Sequence, residues 1–229
     1  MAHANISIFI PHAGCPFDCI YCNQHIISGK VKAPTAKEVE TELQAAVSKL
    51  KNPSDTEIAF FGGSFTCLPE KYMTKLLQTA QEFVREYHLA GIRISTRPDA
   101  ITPEILTTLN TYGVTAIELG EQSMNDSVLE ANRRGHTAED VSHAVKLIRD
   151  KSNCELGLQI MTGMYGSTRI IDIETAERIA NLLPDTVRIY PTVVIKGTKL
   201  EKLWDGGKFR DGGREFDEMV SEVADMVSL

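Results

Sequence analysis

The chain has 229 residues, of which 42% are hydrophobic and 24% charged, and a formal net charge of −7. That composition suits a globular chain with one sizeable core and excludes low-complexity disorder and a broad basic surface for nonspecific nucleic-acid binding. The stretch MAHANISIFIPHAG has no basic n-region and its apolar run ends at Pro11, so neither a signal peptide nor a membrane span is expected, and a reducing cytoplasm is the expected compartment.

In chain order, Ile6, Ile8 and Ile10 alternate as in a strand. CPFDCIYCNQ follows, with Cys15, Cys19 and Cys22 at C-x3-C-x2-C spacing. Thr35 and Glu38 then have capping-box spacing ahead of Val39, Leu43, Val47 and Leu50, a helical stripe. The unit recurs. EIAFF runs into Gly62 and Gly63, and Pro69 to His88 carries Met73, Leu76, Leu77, Ala80, Phe83, Val84 and Tyr87 at helical intervals. GIRIS precedes a helix started by Thr102 and Pro103 and ended by Gly113. TAIELG leads to a helix from Thr137 with Val141, Ala144, Val145 and Ile148 on one face. LGLQIM precedes the stripe Ile173, Ala176, Ile179, Ala180 and Leu183, closed by Pro184, and VRIY is a sixth strand.

Successive strand-helix units imply a parallel sheet covered by helices, with right-handed crossovers. A doubly wound sheet would want a phosphate fingerprint after its first strand, where this chain has cysteines. The expected fold is therefore α/β, a partial (β/α)6 barrel (three-quarter TIM barrel), which gathers all the strand C-terminal ends on one face. Residues 1–204 are expected to form this core domain and 205–229 a tail with one amphipathic helix, its stripe being Phe216, Met219, Val220, Val223 and Val227.

Five cysteines, an odd number with three clustered, fit metal ligands better than a disulfide framework. Structural zinc wants four protein ligands; Cys67 and Cys154 are isolated, which leaves a Cys3His site completed by His12 or His25. An iron-sulfur cluster on three thiolates instead leaves one iron with an open position.

The cysteine motif, with an aromatic before its third thiol and in the loop after a first strand, resembles the signature of the radical S-adenosylmethionine (SAM) enzymes. FFGGSFT, ISTRPD, ELGEQSMNDSVLEANRRGHT and VRIYPTVVIKGTKLEKLW extend the resemblance along most of the chain. They resemble the radical-SAM domain of the elongator catalytic subunit and, more distantly, oxygen-independent coproporphyrinogen oxidase. The resemblance implies a [4Fe-4S] cluster on Cys15, Cys19 and Cys22, with SAM on the open iron and cleaved reductively to a 5′-deoxyadenosyl radical. It implies SAM contacts at Tyr21, Gly62, Gly63, Ser95, Gln122, Arg134 and Gln159, an external one-electron reductant such as flavodoxin or ferredoxin, and tRNA as a candidate substrate.

Each contact also has a plain structural reading: a turn cap for Gln122, a solvated helix end for Arg134, a strand-end hydroxyl for Ser95. His88 and His136 read as surface or helix-end residues, Cys67 and Cys154 as small buried hydrophobes. Arg188, Lys196, Lys199 and Lys202 form either a solvated cationic face or the wall of a phosphate-rich substrate channel. The chain departs from the family at Ser64, where an acid is usual, at Glu121, where an apolar residue is usual, and at TGMYGS in place of a Gly-Leu-Pro-Gly turn. It also ends soon after the sixth strand, where relatives continue over the substrate side. The tail helix is therefore expected to cover the barrel mouth or another chain, and the chain alone to cleave SAM without coupled product unless the opening is covered. The alternative function is a non-catalytic iron-sulfur or zinc-binding redox or interaction module.

Overall fold

The structure, a computed structural model, describes residues 4–209 and 216–227. Six strands, β1 (Ala4–Ile10), β2 (Thr56–Gly62), β3 (Gly91–Thr96), β4 (Val114–Gln122), β5 (Glu155–Thr162) and β6 (Thr186–Pro191), pair in sequence order, all parallel. The partial barrel expected from the strand-helix alternation is the fold observed. Helices α1 (Gln24–Ser28), α2 (Ala36–Val47), α3 (Glu70–Tyr87), α4 (Pro103–Thr111), α5 (Asp126–Ala131), α6 (Ala138–Lys151), α7 (Arg169–Ala180), α8 (Lys199–Asp205) and α9 (Phe216–Val227) fill the connections and the end of the chain. Among the described residues no helix is long and apolar enough to cross a membrane.

The two faces of the sheet divide by residue type. Ile6, Ile8 and Ile10, Ile58 and Phe60, Ile92 and Ile94, Ile117 and Leu119, and Leu156 and Leu158 face the helices. There they meet Val39, Leu43, Leu76, Leu77, Leu106, Leu109, Val141 and Ile148 in the main core. Two capping boxes, Thr35 with Glu38 and Thr137 with Asp140, start α2 and α6. The alternate strand positions face the barrel interior and mix apolar residues such as Phe9, Ala59, Phe61 and Ala116 with polar and charged ones. Arg93 bonds Glu57 (2.8 Å) and Glu155 (2.9 Å) across three strands, and above them Arg188 pairs with Glu118 (2.9 Å). Removing one member of such a buried group strands its partner's charge, typically at a cost of about 3–5 kcal/mol.

Three expectations are corrected. In α7 the buried positions are Asp172, Thr175, Ala176 and Ile179, because Asp172 accepts from the Gly163 N–H (2.8 Å) and from Ser167, tying the helix to the loop before it. Leu183 lies past the helix end with a left-handed backbone (φ 52°) and is 77% exposed. His136 is buried, its Nε2 against Glu121 O (3.1 Å), so of its two expected placements it takes the helix end, just before the cap of α6, and not the surface. The tail helix α9 packs on α7 outside the sheet, with an Arg169–Asp225 ion pair and Met226 in the main core, and does not cross the mouth. Of its expected stripe, Val220 and Val227 are exposed, and the side chains of Phe216 and Met219 lie outside the described residues.

Candidate cluster and cofactor site

The loop after β1 is built by close backbone contacts. The Gly63 N–H donates to Ile10 O (2.8 Å) and the Ser64 N–H to Ala13 O (3.1 Å), which straps the Gly62-Gly63-Ser64 turn onto the cysteine loop. A Cβ on Gly63 would sit 1.8 Å from Ala13 O, and one on Gly14 2.2 Å from Ser64 O, so both glycines are required by proximity. His12 and Gln24 then close the loop reciprocally: Gln24 Oε1 accepts from the His12 N–H, and the Gln24 N–H donates to His12 Nε2 (2.9 Å). The far side is anchored by Ile20, whose N–H donates to Asn132 O (3.3 Å) and whose carbonyl accepts from the Leu200 N–H (2.8 Å). Phe17 lies between the Arg97 guanidinium, 4.7 Å from its ring centroid, and Gly135, where a Cβ would reach its ring at 2.4 Å.

Within this frame the three thiols lie in each other's electrostatic field. Burial pushes Cys22 up to about 12, with Cys19 and Cys15 adding to the shift, and burial and Cys19 raise Cys15. Arg134 faces them, buried. Its Nη1 donates to Cys19 Sγ (3.3 Å) and its Nη2 to Gly120 O. Burial works against the guanidinium charge, but Tyr21, Cys19 and Cys15 outweigh it and hold the pKa above the usual arginine value. The Tyr21 hydroxyl is buried beside Arg134, and burial raises its pKa.

The end of β4 bulges against β5 between Gly120 and Gln122, and Gln122 takes φ 70° there. Gln159 Nε2 donates to Gln122 Oε1 (3.1 Å) across that bulge. Arg134 thus joins the cysteine loop to the strand end on which Gln122 and Gln159 meet. Gly62 O accepts from Gln24 Nε2 at the same strap. Ser95 lies lower, its buried Oγ level with Glu118, which it pairs in register. Ser64 turns away into a buried hydroxyl group with Thr96 (3.0 Å) and the Cys67 sulfur (3.3 Å).

Four groups of the site were not expected from the sequence: Arg97 and Gln24 had no role of their own, Glu121 stood only as a departure from the family, and His136 as a surface or helix-end residue. Arg97 was carried only inside ISTRPD, and its packing on Phe17 depends on a fold contact. Gln24 follows the motif by two residues but bonds across to another loop. His136 sits in neutral form, its pKa lowered to about 3 by burial, Arg134 and Arg97. Glu121 is fully buried in the bulge; burial raises its pKa well above the usual range, and no hydrogen bond of ordinary geometry reaches its two oxygens. The expected cationic face or channel divides: Arg188 faces the barrel interior, while Lys199, paired with Asp18, and Lys202 line a separate cleft.

The radical SAM superfamily model matches residues 9–190. The chain belongs to the radical SAM superfamily. It is 30% identical over 185 residues to the tRNA uridine(34) acetyltransferase of Methanocaldococcus infernus, covering 72% of this chain and 34% of that protein. It is 30% identical over 197 residues to Elongator complex protein 3 of Mus musculus, covering 75% of this chain and 35% of that one. The chain thus spans about a third of the length of these curated relatives. Its fold matches the archaeal Elp3 of M. infernus with TM-score 0.70 at 24% identity, over 90% of this radical SAM chain and 50% of that one.

Proposed function

We propose that this radical SAM protein holds a [4Fe-4S] cluster on Cys15, Cys19 and Cys22, binds SAM beside it and cleaves it reductively, in a reducing cytoplasm, toward the modification of tRNA. The observation that carries the reading is the Arg134 bridge, which sets the thiols and the Gln122–Gln159 pair at one strand-end face.

The donor set supports a cluster. Burial raises the pKa of Cys15 and Cys22, so these thiols need positive charge to ionise, which iron supplies. Among the described residues no three His, Cys, Asp or Glu side chains converge on a single-ion position. His12 Nε2, one candidate fourth ligand for zinc, already accepts from the Gln24 N–H. A four-iron cluster takes its thiolates on separate irons. When bound, such a cluster supplies an open iron and the electron that breaks a carbon–sulfur bond of SAM, giving methionine and the 5′-deoxyadenosyl radical.

The chain's own groups bind and orient. Arg134 presents a permanent cation to the SAM carboxylate while remaining tied to Gly120 O, so its position costs little entropy on binding. Gln122 and Gln159, already bonded to each other, offer their remaining amide donors and acceptors to polar groups of SAM. Gly62 and Gly63 bring backbone close to the cysteine loop, Tyr21 lies next to the third thiol, and Ser95 offers a buried hydroxyl beside Glu118. The tRNA substrate rests on the similarity to tRNA uridine(34) acetyltransferases.

Anaerobic reconstitution tests the reading. Expected are a brown protein with roughly four irons per chain and 5′-deoxyadenosine after reduction with dithionite and SAM. A colourless chain holding one tight zinc would replace it with the metal-module alternative. For the substrate, a comparison of modified tRNA nucleosides with and without the encoding gene should show one loss; an unchanged nucleoside profile removes tRNA from the proposal.

A further inference from the structure

A cleft of about 460 Å³ opens between the end of α5 and α8, lined by Arg133, Lys199, Lys202 and Lys208 around Ile20, Ala131, Leu203 and Gly206. Four cations converge there on a chain whose net charge is −7. Of the four, Lys199 has an ion pair, with Asp18, while the ion pairs recorded among the described residues include none to Arg133, Lys202 or Lys208. From this geometry we infer that the cleft is the docking site of an acidic one-electron donor protein, a flavin or iron-sulfur carrier that reduces the cluster. The inference rests on the cluster reading above.

The placement argues for a donor. Ile20 at the cleft is one peptide bond from Cys19 and two residues from Cys22, so the wall of the cleft is the cysteine loop itself. The Ile20 backbone is bonded on both sides to the elements that carry the cations, through Asn132 O and the Leu200 N–H. Arg133 and Arg134 are adjacent and divide the work: Arg134 turns inward to Cys19 and Gly120, Arg133 outward to the cleft. Substrate must meet the radical where SAM is held, at Gln122 and Gln159. A donor has to reach the thiolates without entering that space, and the cleft meets this need.

The chemistry also suits a transient partner. Three of the four cations are lysines, compact charges on flexible stems, which steer and hold an acidic surface briefly without the forked geometry of tight phosphate recognition. An RNA surface would be expected to run its cations toward the reacting base at the strand-end face; these converge on the cysteine loop. In the docked pair one electron passes to the cluster, the carrier is oxidised by one electron, and no bond is made or broken.

The test uses the reconstituted chain, its Lys202→Glu/Lys208→Glu double variant, and a bacterial flavodoxin, an acidic flavin protein, as probe, oxidised for binding and reduced for turnover. Oxidised flavodoxin should bind the parent chain, weaken as salt rises, and bind the variant about tenfold or more weakly, since like charges would face each other. 5′-Deoxyadenosine formation driven by flavodoxin should fall by a similar factor, while formation driven by dithionite, which needs no docking, stays at the parent rate. Flavodoxin binding that is absent in the parent, or equal within twofold in both proteins, overturns the inference. So does a variant that loses bulk tRNA binding but keeps flavodoxin affinity, which would make the cleft an RNA surface. If the parent releases no 5′-deoxyadenosine even with dithionite, it is the cluster reading that fails, and the binding titration still decides the docking site on its own.

Discussion

Replacing Gly63 by Ala tests whether the strap between the two loops holds the site together. The new Cβ would lie 1.8 Å from Ala13 O and 2.9 Å from Ile10 O, and Gly63 is not at positive φ, so the whole effect is steric. A carbon–oxygen contact of about 3.3 Å requires the loops to part by about 1.5 Å. That breaks the 2.8 Å and 3.1 Å hydrogen bonds from the N–H groups of Gly63 and Ser64. With each broken bond costing about 1–3 kcal/mol, the expected loss is about 2–6 kcal/mol. Gly14→Ala should lose at least as much, because its Cβ meets Ser64 O at 2.2 Å and its φ is 74°. Gly163→Ala is the control: φ is 68° but nothing lies within 4 Å, so only the left-handed strain of about 1–2 kcal/mol applies. Urea unfolding of the metal-free reduced proteins, followed by circular dichroism, measures all three, and iron uptake should fall for Gly14→Ala and Gly63→Ala while Gly163→Ala retains it. Equal stabilities for the Gly14 and Gly163 variants within about 0.5 kcal/mol, or a neutral Gly63→Ala, would refute the packing argument.

Cys19→Ala should abolish iron binding and SAM cleavage while far-UV circular dichroism stays that of a folded barrel, since the main core excludes this loop; global unfolding would make the metal structural. Gln122→Ala should weaken SAM binding by about tenfold or more through loss of one polar contact, with iron content unchanged. Arg134→Ala, by contrast, should lower both, because its guanidinium also contacts Cys19; SAM affinity unaltered in both variants would show the strand-end assignment to be wrong. Glu121→Gln should stabilise the chain, and more so as pH rises. The folded pKa is raised above the unfolded one, so the acid form's favourable balance is complete below the unfolded value and is lost as pH climbs through the folded value. Urea unfolding should show a small gap between variant and parent at pH 5 and one of about 1–3 kcal/mol at pH 8. His136, common to both proteins, cancels from that difference; a gap constant with pH would mean that the carboxyl is not penalised in the fold.

What could be read from the sequence was what chain neighbours determine. The helical stripe from Met73 to Phe83 and the capping residues Thr35 and Thr137 each act within a few residues, and both stand in the structure. The site's shape depends instead on distant partners. The reading of the fourth strand stopped at Gly120, yet the strand continues through a bulge to Gln122, because Arg134 and His136 hold the carbonyls of Gly120 and Glu121 from fourteen and fifteen residues away. Arg134 was expected either as a SAM contact or as a solvated helix end, and His136 at the surface or a helix end, since a side chain's charge says nothing of a carbonyl that the fold will bring to it. The barrel interior was legible in principle. Glu57, Arg93, Glu118, Glu155 and Arg188 stand at strand positions that alternate with apolar neighbours, and parallel register places them on one face. Counting only the apolar residues makes these strands look like a sheet buried in hydrocarbon on both sides. The charges among the alternate positions state the opposite: the helix face is dry, and the interior holds an ionic group beneath a polar site.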